Sequence, residues 1–290
     1  MLFIIHKSIL KSMCRFTLCL FVGVLLHADV LAQANICIGE SDTIYSRALD
    51  EERAYWVHLP QSYGDSVLKR YPVIYLLDGD LFFHAMVAVH RAYSGGRRPV
   101  MPECIIVGIL NTDRTRDLTP SRSAFRRDGK RYDEDAEVGG GSELFTAYLA
   151  GELRPKVEKK YRAGGGSIVV GHSFGGLFVL SALLRHPALF DVYVALDPSF
   201  WWDSGKLMRD ANALPEAGQF AGKRLYVGVS GKTASEAGSI HWQVADDFRY
   251  NALPKAVRNG LLPSWKMFPD ETHGTVAIVG MTDAFKAILK

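Results

Sequence analysis

The sequence predicts an α/β fold built on a mostly parallel central sheet with helices on both faces. Two observations carry this. From residue 45 onward, short apolar runs rich in β-branched residues alternate with longer stretches at helical spacing, the order expected of strands joined by crossover helices. Several of the short runs are continuously apolar, as strands covered on both faces must be. In chain order, residues 53–59 read as an early strand ended by Pro60, and residues 72–77 and 104–110 as buried strands. Residues 143–161 carry a helical stripe of Leu144, Phe145, Tyr148, Leu149, Leu153 and Val157. A very short strand over 167–170 leads into a helix over 177–184 stopped by Pro187. Strands over 192–196 and 225–229, a helix over 239–257, a last strand over 265–268 and a closing helix over 275–289 complete the pattern. There is no internal repeat and no second domain boundary.

The first 32 residues read as a secretory signal rather than as part of the fold. Lys7, Lys11 and Arg15 precede the apolar run 16–26, and small residues follow at Ala32 and Ala34. The run is short for a membrane span, which needs about 20 apolar residues. The expectation is therefore a periplasmic or secreted protein with no stable membrane span after cleavage, and one catalytic domain over 33–290. Without the leader the formal charge of +3 falls to about +1, which leaves no electrostatic footprint for nucleic acid. Cys37 and Cys104 remain, and an oxidising compartment admits either a disulfide or two free thiols. Their spacing fits neither a metal site nor a redox pair, and no metal or organic cofactor is expected. Residues 112–142, polar and rich in Arg and Asp, read as a loop insertion without a pattern of its own; such segments are often lids.

The strongest local signal is Gly171-His172-Ser173-Phe174-Gly175, with the apolar Ile168-Val169-Val170 before it and an apolar helix after it. A serine hydroxyl is a weak nucleophile and must be presented where a base can reach it. A sharp strand-to-helix turn does this, with glycines where neighbouring chain comes close. This context makes the domain an α/β-hydrolase and Ser173 its nucleophile. The base should follow in the order Ser, acid, His. Of the downstream histidines, His186 sits at a helix end and His241 inside a helical pattern. His273 lies in the polar turn after the last strand, where a loop reaches the sheet's carboxyl edge, and is the expected base. For the acid, Glu236 is the sole carboxylate between residues 230 and 238. Glu271, two residues before His273, is the alternative, and a Ser–His dyad stays open. The expected oxyanion donors are the backbone N–H groups of Phe174 and, after the turn Leu77-Asp78-Gly79, of Asp80.

Together with Tyr75-Leu76-Leu77-Asp78-Gly79-Asp80, Ile106-Val107-Gly108-Ile109, the run Asn111 to Pro120, Asp197-Pro198-Ser199-Phe200-Trp201-Trp202 and Glu271-Thr272-His273-Gly274, the serine motif resembles the Putative esterase family of α/β-hydrolases, especially its siderophore (enterobactin-type) esterase branch. The likeness covers roughly residues 50–289. It implies hydrolysis of a small-molecule carboxylic ester by Ser173 and His273, with Asp80 and Phe174 as oxyanion donors and the run Asn111 to Pro120 as a pocket wall. Two departures stand out. The family's Gly-x-x-Glu-like run is here Gly231-Lys232-Thr233-Ala234, without a carboxylate, and Asp197 stands where relatives commonly carry serine. For a siderophore lactone, Arg114 and Arg116, with Arg126 and Arg127, are candidates to pair with anionic catecholates, and Trp201 and Trp202 to stack on rings. The bland readings are loop ion pairs and core packing. An acyltransferase using the same machinery, or a non-catalytic binding protein on this scaffold, are the alternatives.

Overall fold

The computed structural model describes residues 37–65, 67–133, 136–212, 219–231 and 239–288. The leader read at residues 1–32 lies outside them, as does Glu236. Residues 38–290 form one compact unit around an eight-stranded sheet. Its order is β1 (Glu40–Ser46), β2 (Glu51–His58), β4 (Ile105–Ile109), β3 (Tyr71–Leu76), β7 (Ala163–His172), β8 (Val192–Leu196), β9 (Arg224–Ser230) and β10 (Leu262–Phe268). The β1–β2 and β2–β4 pairs are antiparallel, and every later pair is parallel. This is the expected mostly parallel sheet, so the loops at the carboxyl ends of β3, β7, β8, β9 and β10 gather along one edge.

Helices cover both faces because the central strands are apolar on both sides. Along β3, β7 and β8 the side chains alternate strictly. Ile74, Leu76, Ile168, Val170, Val192, Val194 and Leu196 join one core layer. Val73, Tyr75, Val169, Tyr193 and Ala195 join the other. The first layer is closed by α1 (Gly79–Ser94) through Phe82, Phe83 and Met86, and by the last helix (Val276–Ile288) through Met281 and Phe285. The second is closed by the helical run from Ser142 to Lys160, which passes through a π turn at Leu149–Leu153, and by the helix Phe174–Arg185. Each large apolar side chain so buried stabilises the fold by about 1.5–3 kcal/mol.

The insertion at 112–142 departs from the expected patternless loop. It begins with a short helix, α2 (Arg114–Leu118), and continues as a β-arm in which β5 (Arg122–Ser123) pairs with β6 (Val138–Gly139), with a further bridge between Phe125 and Arg131. The arm is bolted at its foot. Trp202 Nε1–H donates to the Ser121 carbonyl at 2.9 Å, Ser121 Oγ–H to Asp203 at 2.8 Å, and the Gly140 N–H to Thr119 Oγ1 at 2.9 Å. Gly139, at φ +87°, leaves no room for a Cβ, which would meet Thr119 Oγ1 at 2.2 Å. Among the described residues no disulfide joins Cys37, which is exposed, to Cys104, which is buried.

Cys104 marks a buried imidazole with consequences for stability. Its backbone N–H donates to His90 Nε2 at 2.8 Å. Burial, reinforced by His58, pushes the pKa of His90 down to about 4 from 6.5. The unfolded chain therefore binds this proton more tightly than the folded one, so the contribution is intact above pH 6.5 and drains away as pH falls towards 4. Between pH 7 and pH 5 the loss from this residue is about 2 kcal/mol. The His90→Gln variant, which keeps an acceptor, should lose roughly 4–8 °C less of its thermal midpoint over that interval than the wild type. Melting curves at the two pH values check this.

Candidate active site

Ser173 is the single residue between β7 and the helix Phe174–Arg185. Its backbone has φ 60° and ψ −115°, a sparsely populated conformation held by its surroundings. The Ser173 N–H donates to the Leu196 carbonyl at 2.9 Å, and its own carbonyl accepts from Ser199 N–H at 3.1 Å. The chain doubles back so closely that a Cβ on Gly171 would lie 2.3 Å from the Gly175 carbonyl oxygen, so this position requires glycine. The helix aims its positive end at the hydroxyl.

His273 arrives from the turn between β10 and the last helix. Its Nε2 lies 3.1 Å from Ser173 Oγ, and its Nδ1 lies 2.6 Å from Asp197 Oδ2. Asp197, 1% exposed, stands at the carboxyl end of β8 with φ +43°, fixed by its own N–H bond to the Gly228 carbonyl at 2.7 Å. It accepts from the Ser230 N–H at 2.8 Å and the Ser230 hydroxyl at 3.0 Å. Burial acts to raise its pKa, but the bonds from His273 and Ser230 and the neighbouring imidazoles outweigh it and hold the carboxyl below its ordinary range. Asp197 is thus the carboxylate on Nδ1, while Glu236, the expected acid, lies outside the described residues. At Glu271 the backbone carbonyl accepts from the Gly231 N–H at 2.9 Å.

The expected oxyanion donors lie at the starts of two helices. Asp78 is left-handed at φ 53°, and α1 starts at Gly79, so the Asp80 N–H falls in a first helical turn, where no intrahelical acceptor exists. The Phe174 N–H, at the first residue of its helix, likewise lies in a first turn. The two starts abut: a Cβ on Gly175 would sit 3.3 Å from Asp78 Oδ2. Arg114 belongs to the turn at Asp78 rather than standing free for a ligand. Its Nε and Nη2 grip Asp78 at 2.6 and 3.0 Å, and Asn111 Nδ2 bridges Asp78 and Asp80 at 2.8 and 2.9 Å. The guanidinium also lies over the Phe174 ring, 5.3 Å from its centroid.

Two of the expected substrate contacts are corrected. Arg116 pairs with Asp117 at 2.7 Å and Glu51 at 2.6 Å beside the buried Arg53, because Asp117 needs cations once removed from water. Removing Asp117 leaves Arg53, 1% exposed, with Glu51 as its remaining carboxylate partner. Asp117→Ala should therefore cost about 3 kcal/mol in urea unfolding at constant m-value. Trp202 is likewise core, 1% exposed and edge-on to Phe174 at 5.0 Å. Trp201 is only half-buried and packs on both, at 5.8 Å from Phe174 and 5.6 Å from Trp202, so of the pair it alone presents ring surface beside the nucleophile. Arg126 and Arg127 are exposed on the arm, and Arg126 stacks over Tyr132. Sequence reasoning also missed Ser199, whose Oγ lies 3.3 Å from Ser173 Oγ, and His172. Among the described residues no cluster of three His, Cys, Asp or Glu could hold a metal ion, and no helix is long and apolar enough to cross a membrane.

Fold and site together define an α/β-hydrolase with a hydrogen-bonded Ser–His–Asp chain at the carboxyl edge of its sheet. The chain belongs to the Putative esterase family, whose model matches residues 46–248. Ferri-bacillibactin esterase BesA of Bacillus subtilis is 34% identical over 176 residues, 55% of this chain and 58% of that protein. The siderophore enterobactin esterase of Emericella nidulans is 34% identical over 159 residues, 51% and 52% of the two chains. The matches thus span little more than half the length of these curated relatives. The crystal structure of an IroE-like serine hydrolase from Shewanella oneidensis superposes with a TM-score of 0.78 at 34% identity, covering 87% of this chain and 80% of that one.

Proposed function

We propose that the protein is an exported serine esterase that hydrolyses carboxylic esters through an acyl-enzyme. The observation that carries the proposal is the unbroken line from Ser173 Oγ through His273 to buried Asp197. Asp197 accepts the Nδ1 proton of His273, which leaves Nε2 as the lone-pair nitrogen facing the serine. Ser173 Oγ attacks the ester carbonyl while Nε2 takes its proton. The resulting oxyanion is met by the N–H groups of Phe174 and Asp80, each such donor lowering the barrier by about 2.7–4 kcal/mol. Nε2–H then protonates the departing alkoxide, and a water activated by the same nitrogen releases the acid. The basic, apolar and small-residue succession over residues 7–34 supports export.

The named relatives support a siderophore ester as substrate. On this chain the ring of Trp201 offers stacking surface for an aromatic acyl group. The test is a fluorophosphonate probe with peptide mapping, run beside p-nitrophenyl acetate, p-nitrophenyl butyrate and a ferric catecholate lactone. A probe adduct on the Ser173 peptide with turnover of at least one ester is the expected result. No adduct and no turnover would support a non-catalytic scaffold instead.

A further inference from the structure

His172, between the strand and the nucleophile, takes no part in the proton path described above. It is 8% exposed, and its Nε2 lies 2.7 Å from the backbone carbonyl oxygen of His273. A carbonyl only accepts, so Nε2 carries the hydrogen and donates it. The two imidazole rings pack with centroids 4.6 Å apart, and Phe82 closes the other side edge-on at 5.6 Å. The turn that presents His273 has little packing of its own. Thr272, Gly274 and Thr275 are exposed, and the His273 side chain is itself 37% exposed. Apart from bonds within the turn and to its own flanking strand and helix, its backbone is tied to neighbouring strand ends at the Glu271 and His273 carbonyls, and the His273 side chain is held by Asp197 and Ser173.

We propose that His172 is a positioning residue for the base: its Nε2–H pins the His273 carbonyl to the residue next to the nucleophile and fixes the distance between imidazole and hydroxyl. This rests on the esterase reading and adds to it the device that sets its geometry. The bond spans the gap between the ends of β7 and β10, which are separated in the sheet by β8 and β9. Burial, followed by the nearby His273, lowers the pKa of His172, consistent with a neutral ring carrying one hydrogen.

The experiment compares His172→Phe, which keeps ring volume but has no donor, with His172→Gln, whose amide reaches similarly far. Against p-nitrophenyl butyrate, kcat and the rate of fluorophosphonate labelling should fall about 10- to 100-fold in H172F with KM changed less than about threefold, and H172Q should return to within about fivefold of wild type. Should H172F fold poorly, His172→Asn, whose donor stops short of the carbonyl, gives the same contrast with H172Q. Wild-type kcat in H172F, or equal loss in H172Q and its partner variant, would overturn the positioning role while leaving the esterase reading standing. A wild-type protein that neither turns over ester nor takes the probe would overturn both.

Discussion

Asp197→Asn should reduce kcat by about 10⁴-fold with little change in fold, because it reverses the hydrogen on the base. The Ser230 N–H, 2.8 Å from Oδ1, turns the amide so that its oxygen faces Ser230 and its NH₂ faces His273 Nδ1. That nitrogen must then accept, the hydrogen moves to Nε2, and Nε2 loses the lone pair that takes the serine proton. Glu236→Gln is the paired control and should stay within about threefold of wild type, the range of a change that leaves the transition state untouched. Steady-state kinetics on both variants with p-nitrophenyl butyrate decides between the acids. The opposite ranking would return the role to Glu236.

Ser173→Ala should lower kcat by about 10⁶-fold and abolish the fluorophosphonate adduct, leaving only the residual catalysis of the oxyanion donors and binding. The strained φ of 60° at this position stays with alanine, so the thermal midpoint should hold within about 3 °C while activity disappears. Activity equal to that of wild type would remove Ser173 from the mechanism and the esterase reading with it.

The sheet was legible because its central strands are apolar on both faces, which a linear pattern records directly. Every strand expected from residue 53 onward is present, although β7 begins at Ala163, four residues before the apolar core. Its Gly164-Gly165-Gly166 extension has no side chains to betray it, and the pairing with β3 slips there. β1 escapes a pattern search because it is an edge strand, ESDTIYS, mostly exposed and stabilised by ladder bonds to β2 alone. The helix Gly79–Ser94 shows helical spacing in Phe82, Phe83, Met86, Val87 and His90, but its start is masked by a turn-like Asp-Gly-Asp.

Ser173 and His273 were legible because each sits in a local context that only a few arrangements satisfy. The carboxylate found on Nδ1 was not, because only the fold decides which residue reaches that nitrogen. β8 and β9 are parallel neighbours, so both strands end at the same edge of the sheet. The residues that could have given it away are Asp197 and Pro198 directly after the apolar run Val192–Leu196, a carboxylate with nowhere to go but the buried edge. The arginines misled because charge in a sequence carries no record of its partner: Asp78 takes Arg114, and Asp117 takes Arg116.

The bolted foot of the β-arm divides it into an anchored base and an exposed tip. Trp202 clamps Ser121 with its indole nitrogen while its ring rests against Phe174, so one side chain ties the base of the arm to the start of the helix Phe174–Arg185. The exposed tip over residues 125–131 lies beyond that clamp. A different tip grafted between the same anchors is therefore expected to leave the start of that helix undisturbed.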